Sequence, residues 1–454
     1  MSAPKSLLAR YRQLAPNASV RVSPLCLGAM TFGDGAGRAL HGKTTLEEST
    51  AILDAFYKAG GNFIDTANGY QNGESERRLG QWMVDNDNRD EMVIATKFTG
   101  GYMRGEPNRI QANFSGNGTK SMKMSLEASL KKLQTSYVDI LYLHDWDSSA
   151  NIVEVMHGLN DLVVAGKVLY LGVSDTPAWI VSKAKQYARD HGLRPFVLYQ
   201  GLWNAGVRDF EREIIPMARE EGMGLAPWGP VGEGRFKTKD VLAKMEQGTR
   251  GLPITQKDRD VSAVLEKIAE RKGNTLYQIA VAYLMHKTTY VFPIIGSTKA
   301  EHLSSNIEAL AIELSPEDIH EIEQAYPFNH GFPHTFLSGS HFEGEKVESR
   351  QVHGPEDVAL TKWSEADRKK TFRKVDLRLV PMLSVLYLMA HIDRANIGNA
   401  KIEGMIEDLG MTGVQYNIVL SIFFIPYVLC EVPSNILLKK FKRPSYYLGI
   451  LVTS

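Results

Sequence analysis

Short apolar runs and amphipathic stretches alternate along this chain from Ser23 to Ile295. The apolar runs predict strands at Ser23–Met30, Phe63–Asp65, Met92–Thr96, Val138–His144, Val168–Ser174, Phe196–Gln200, Gly224–Pro227 and Val291–Ile295. Between them, apolar residues recur at the three-and-four spacing of a helix face. The first helix starts at Thr45, which forms a capping box with Glu48. Its stripe is Ile52, Leu53, Phe56 and Tyr57, and Gly60-Gly61 stops it. Further helices are predicted at Ser75–Val84, Ser121–Leu133, Ile152–Val164, Pro177–His191, Phe210–Glu221, Val261–Arg271, Leu276–His286 and Pro316–Tyr326.

Eight strand-then-helix units predict an α/β chain folded as a (β/α)8 TIM barrel. A doubly wound open sheet would need a Gly-x-Gly-x-x-Gly turn directly after its first strand. Here Gly33-Asp-Gly35-Ala-Gly37 lies beyond that strand and has a different spacing. From about residue 331 to 365 the chain is rich in Gly, His, Ser, Glu and Pro without periodicity, which reads as a linker. Apolar runs return at Leu379–Ile392 and Ile418–Cys430, and a third meets the last residue, Ser454. The expected division is therefore a lead (1–20), a barrel (21–330), a linker (331–365) and a helical, partly apolar segment (366–454).

Composition narrows the function. Lys+Arg and Asp+Glu both number 52, so the formal charge is zero and no global field favours nucleic acid. The two cysteines, Cys26 and Cys430, make neither a disulfide framework nor a metal cluster, and no metal is expected. The first 17 residues, MSAPKSLLARYRQLAPN, hold no apolar core of signal-peptide length. A cytoplasmic, reducing location is expected. The glycosylation patterns at Asn113 and Asn117 then read as chance matches.

The polar residues that close strands carry the chemistry. Asp65, Lys97, His144, Ser174 and Gln200 each end an apolar run, which in a barrel is the catalytic face. Tyr70 follows Asp65 by five residues, in a loop. Each residue alone has a bland reading: a helix-capping Asp, a solvated Lys, a satisfied core His. Together they form a proton-transfer set. Lys97 would lower the Tyr70 pKa, Asp65 would hold Lys97 charged, and His144 would orient a carbonyl oxygen or relay the proton.

These residues resemble the tetrad of the aldo-keto reductases. The resemblance runs from about Val22 to Tyr326. Its strings are Leu27-Gly-Ala-Met-Thr-Phe-Gly33, the Asp65/Tyr70 segment, Ala95-Thr-Lys97, Tyr142-Leu-His-Asp-Trp-Asp147 and Gly172-Val-Ser-Asp175. Tyr199-Gln-Gly-Leu-Trp-Asn204, Ala226-Pro-Trp-Gly229 and Pro293-Ile-Ile-Gly-Ser-Thr-Lys299 with Asn306 continue them. The Gly-Val-Ser-Asp-Thr-Pro-Ala-Trp and Ala-Pro-Trp-Gly segments look most like the fungal branch of aryl-alcohol dehydrogenases and norsolorinic-acid-reductase-like enzymes.

The resemblance implies NADP(H)-dependent reduction of a small-molecule carbonyl, on a polyketide or terpenoid metabolite or an aromatic aldehyde. It assigns Ser174, Asp175 and Gln200 to the nicotinamide carboxamide, and Met30 and Thr31 to a contact from the first strand. Gly229, Gly232, Gly234 and Arg235 belong to a loop expected to offer backbone N–H groups to the pyrophosphate. Ser297, Lys299, His302 and Asn306 match the segment that grips the adenosine half and its 2′-phosphate. Two positions depart from the family. Trp228 stands near where many members stack a tyrosine on the nicotinamide, and His302 stands where many have an arginine.

From about Glu365 the chain resembles the start of a major-facilitator transporter. The strings are Arg373-Lys-Val-Asp-Leu-Arg-Leu-Val-Pro381, His391-Ile-Asp-Arg-Ala-Asn-Ile-Gly-Asn-Ala400 and Glu431-Val-Pro-Ser-Asn435. Each uninterrupted apolar run is shorter than the roughly 20 residues a spanning helix needs. An amphipathic appendage, a fusion remnant and a membrane tether all stay open, and membrane contact is expected only through this segment. A cofactor-sensing barrel of the channel β-subunit type is the rival to an enzyme.

Overall fold

The computed structural model describes residues 6–34, 42–103, 106, 108–245 and 252–337. The transporter-like segment and the linker beyond residue 337 lie outside the described residues.

The chain opens with an antiparallel hairpin, β1 (Arg12–Ala15) and β2 (Ala18–Val22). Eight parallel strands follow: β3 (Cys26–Gly28), β4 (Phe63–Asp65), β5 (Val93–Phe98), β6 (Val138–Leu143), β7 (Val168–Ser174), β8 (Phe196–Leu202), β9 (Gly224–Trp228) and β10 (Ile294–Gly296). From β3 to β9 each pairs with the next in sequence, and β10 pairs with β3. The ring closes at Leu225, which donates its N–H to Tyr290 O at 2.8 Å and accepts from Phe292 N at 2.8 Å. The result is the barrel-like sheet that the alternating pattern predicts.

The helices between strands are α1 (Leu46–Lys58), α2 (Glu74–Asn86), α3 (Thr119–Leu133), α4 (Ile152–Val164), α5 (Ala178–Asp190), α6 (Ile214–Glu220), α7 (Lys239–Leu242), α8 (Gln256–Lys272) and α9 (Leu276–Lys287). Beyond β10 come α10 (Ala300–Glu308), α11 (Pro316–Ala325) and α12 (His334–Leu337). The capping box at Thr45 and Glu48 is formed as the sequence requires. Among the described residues, no helix is long and apolar enough to cross a membrane.

Strand alternation sorts the core into two layers. Phe63, Val93, Ala95, Ile140 and Tyr142 point into the barrel, while Ile64, Ile94, Phe98, Leu141 and Leu143 pack against the helices. Continued by one step, the inward series brings Asp65 and Lys97 to the carboxyl ends of β4 and β5. The hairpin closes the opposite end. Its Leu14, Ala15, Ala18 and Val22 join the inner layer, and Arg12 donates to Val291 O at 2.6 Å.

The first strand is shorter than expected, Cys26–Gly28 instead of Ser23–Met30, and α8 starts at Gln256 ahead of the expected Val261. Three further differences fall at prolines. The expected helix Phe210–Glu221 is a 3-10 turn (Asp209–Glu211) followed by α6, because Pro216 is tolerated only in a first helical turn. The last strand starts at Ile294, since Pro293 has no N–H for the ladder. Pro177 caps α5 from outside rather than opening it. The hairpin Arg12–Val22, which crosses the expected boundary at residue 20, and α10 are elements that the pattern did not reveal.

Candidate active site

The carboxyl ends of β4, β5 and β6 bring three candidate side chains to one mouth. Lys97 is fully buried there, with its Nζ 2.5 Å from Asp65 Oδ2. The same ammonium donates to Thr66 O at 2.8 Å and to the Tyr70 hydroxyl at 3.2 Å. It therefore bridges the carboxylate and the phenol. The His144 ring lies edge-on to Tyr70, with centroids 5.8 Å apart and planes at 79°. The structure brings the four residues singled out in the sequence together.

Burial alone would discharge Lys97. The Asp65 charge and then the Tyr70 contact outweigh it, and the lysine pKa lies above its ordinary value. Tyr70 departs from expectation. Burial raises its pKa, the Lys97 charge pulls it down, and the Asp65 charge pushes it up again. The net direction is upward, not downward, because burial outweighs the pull of the Lys97 charge and the Asp65 charge adds to it. The phenol is thus held protonated, the form a proton donor needs.

Tyr70 heads a tight turn in which Gln71 (φ 50°), Asn72 (φ 57°) and Gly73 (φ 87°) are all left-handed. Gln71 is buried and donates to Met30 O at 3.2 Å and Gly42 O at 2.8 Å. Thr99, two residues past Lys97, has φ 98°, a rare conformation for a β-branched residue. Its hydroxyl accepts from His144 N at 3.3 Å and from Asn117 Nδ2 at 2.7 Å. Asn117 also donates to Asp145 O and accepts from Asp147 N, so it ties the loops after β5 and β6 together. Sequence reasoning missed Thr99 and Asn117. The Asn117 amide served there only as a glycosylation pattern, and it is buried and fully engaged.

The residues matched to a cofactor rim the same mouth. Ser174 closes β7 and donates to Asp175 Oδ2 at 3.3 Å. Asp175 has φ 39°, and Trp228 Nε1 donates to its Oδ2 at 3.2 Å. The residue is exposed at the rim, yet the surrounding walls desolvate its carboxyl and push the pKa up to about 6, against the Trp228 and Ser174 hydrogen bonds. Gln200 is buried and donates to Asp65 Oδ1 at 2.9 Å, so its amide nitrogen supports the tetrad. Thr31 donates to Ser297 O at 3.1 Å, and Met30 is half-buried beside it.

The glycine loop after β9 is wound more tightly than expected. Gly229, Gly232 and Gly234 have φ 68°, 66° and 85°. The N–H groups of Gly232, Gly234 and Arg235 donate to carbonyls inside the turn. Arg235 faces Glu233 at 3.0 Å and Asp258 at 3.7 Å rather than the mouth. The expectation of free N–H donors is not met at these three positions, because the turn satisfies them itself. Lys299 is exposed and caps the start of α10, the helix that carries His302 and Asn306. Ser297 accepts the Lys299 N–H at 3.1 Å.

Residues 24–327 match the model of the aldo/keto reductase family. Norsolorinic acid reductase B of Dothistroma septosporum is 60% identical over 78% of this chain and 90% of its own length. Norsolorinic acid reductase B of Aspergillus parasiticus is 57% identical over 75% of this chain and 91% of its own. Aryl-alcohol dehydrogenase [NADP(+)] of Phanerodontia chrysosporium is 49% identical over 75% of this chain and 92% of its own. With eight parallel strands, the assembled tetrad and this extent of similarity, the chain belongs to the aldo/keto reductase family.

Proposed function

We propose that the chain reduces the carbonyl of an aromatic polyketide-type metabolite or an aromatic aldehyde to the alcohol, with NADPH as reductant and Tyr70 as acid. One observation carries the reading: a single buried ammonium, Lys97 Nζ, contacts both Asp65 and the Tyr70 hydroxyl. The relatives' names, norsolorinic acid reductase and aryl-alcohol dehydrogenase, support the substrate class.

When bound, the dinucleotide supplies the hydride. The chain's residues do the rest. Tyr70 gives its proton to the carbonyl oxygen as negative charge develops there. Lys97 then stabilises the phenolate left behind, an electrostatic role that gains strength in a buried site. His144 directs the oxygen toward Tyr70. Ser174 and Asp175 present a hydroxyl and a carboxylate at the rim, which fits a carboxamide that both donates and accepts. Trp228 offers the adjacent flat face. Lys299, at the helix start, favours a 2′-phosphate and hence NADPH over NADH.

The test pairs turnover with binding. Tyr70→Phe is expected to lower kcat for an aromatic aldehyde by about 10²–10⁴-fold. Its NADPH affinity should stay within about twofold, because the phenol adds little to ground-state binding. Wild-type turnover in that variant removes Tyr70 from the chemistry. Equal affinities of the wild type for NADPH and NADH remove the cofactor preference.

A further inference from the structure

A second buried ion pair lies directly behind the first, on the other side of the barrel wall. Lys97 points inward from β5, and its neighbour Thr96 points outward. The Thr96 hydroxyl donates to Glu76 Oε1 at 2.6 Å. Glu76 stands on α2 and is fully buried. Lys132, on α3, places its Nζ 2.5 Å from Glu76 Oε2. The same ammonium donates to Asn68 O at 2.9 Å. Asn68 is two residues before Tyr70, and its own N–H donates to Lys97 O at 3.1 Å.

The Tyr70 loop has reason to need an anchor. Three consecutive left-handed residues after Tyr70 form a strained path, and such paths persist only where surroundings fix them. Lys132 fixes this one from outside. Its aliphatic stem also lies against Gly73, where an added Cβ would sit 3.1 Å from Lys132 Cδ. Gly80 lets α2 approach α3 closely, since a Cβ there would meet Lys132 O at 2.5 Å. The helices that hold Glu76 and Lys132 are therefore locked together. A buried pair adds little net stability over an apolar equivalent, so its placement on the loop carbonyl points to geometry rather than to stability.

We propose that Glu76 and Lys132 are positioning residues that hold the backbone of the Tyr70 loop, and so the phenol, within reach of Lys97 and the substrate oxygen. The inference rests on Tyr70 being the acid. Lys132 acts through the Asn68 carbonyl and touches no reacting atom. Glu76 holds Lys132 aimed at that carbonyl, and Thr96 ties Glu76 to the strand that carries Lys97.

The test uses the full chain and the double variant Glu76→Gln/Lys132→Met, which removes both charges and leaves neither unpaired. Its kcat per folded molecule for an aromatic aldehyde is expected to fall about 10²-fold, the scale of a displacement of roughly 1 Å at a reacting group. NADPH affinity should not change. Glu76→Gln alone keeps the volume and loosens Lys132, and should lower kcat about tenfold. It carries the test if the double variant does not fold. A purely structural pair would lower the melting temperature and leave kcat per folded molecule at the wild-type value, which overturns the proposal. Tyr70→Phe is measured alongside. If that variant is active, the acid assignment fails. If it is inactive while both Glu76 variants turn over normally, only the positioning role fails.

Discussion

At the scale of single residues, the mouth of the barrel holds Lys97, Tyr70 and Asp175 above their ordinary pKa values. Asp175 is the clearest case, with its carboxyl pushed up to about 6. A carboxyl with a raised pKa binds its proton more tightly in the folded chain than in the unfolded one. Between the ordinary carboxylate range and pH 6 the folded state thus holds more protons, and stability falls as pH rises. Asp175→Asn removes this slope. Relative to that variant, the wild type should be more stable at about pH 4 than at about pH 7, read as the difference in melting temperature across the range. A constant difference would show that the Asp175 carboxyl does not titrate there. Asp65, Lys97 and His144 were legible because each ends an apolar run, where strand alternation leaves no choice of face, whereas Tyr70 was legible only by its place in the loop after Asp65. Glu76 and Lys132 were not. On a helix, a Glu or a Lys reads as solvated surface until the facing helix is known.

At the scale of elements, local signals found whatever local chemistry fixes. Thr45 with Glu48 marked the start of α1, and the run from Val168 to Ser174 is β7 as observed. The hairpin escaped because its strands are four and five residues long and its pairing surface is the far end of the barrel. Its seat is tight at Gly224, the first residue of β9. A Cβ there would lie 2.3 Å from Leu14 O, a clash with backbone that no rotamer relieves. Gly224→Ala is expected to cost at least about 2 kcal/mol in chemical denaturation. Activity per folded molecule should be unchanged, because Gly224 lies at the end of β9 opposite Trp228. Unchanged stability would mean that the hairpin moves aside freely.

At the scale of the whole molecule, the described chain continues past its last barrel helix as a latch. Phe328 is buried beneath two guanidinium groups, Arg208 at 5.7 Å and Arg212 at 4.9 Å from its ring centre. Arg212 also donates to Asn329 O and His330 O, each at 3.0 Å, and His334 lies 2.8 Å from Glu213. The linker composition that begins near residue 331 therefore does not mark the end of packing. A chain ending at Leu337 should keep the melting temperature of the barrel and full reductase activity. One ending at Tyr326 should melt several degrees lower, since it forfeits the Phe328 contact, worth about 2 kcal/mol. Equal melting of the two truncations would show that the latch adds nothing. The hairpin has a practical consequence of its own. It stoppers one end of the barrel, so all traffic of small molecules must use the other. Fixing the protein to a bead or an electrode through the hairpin, for example at the exposed Tyr11, would tether the barrel by its sealed base and leave the mouth at the far end. Loss of turnover on such a support would then not come from the support blocking the mouth.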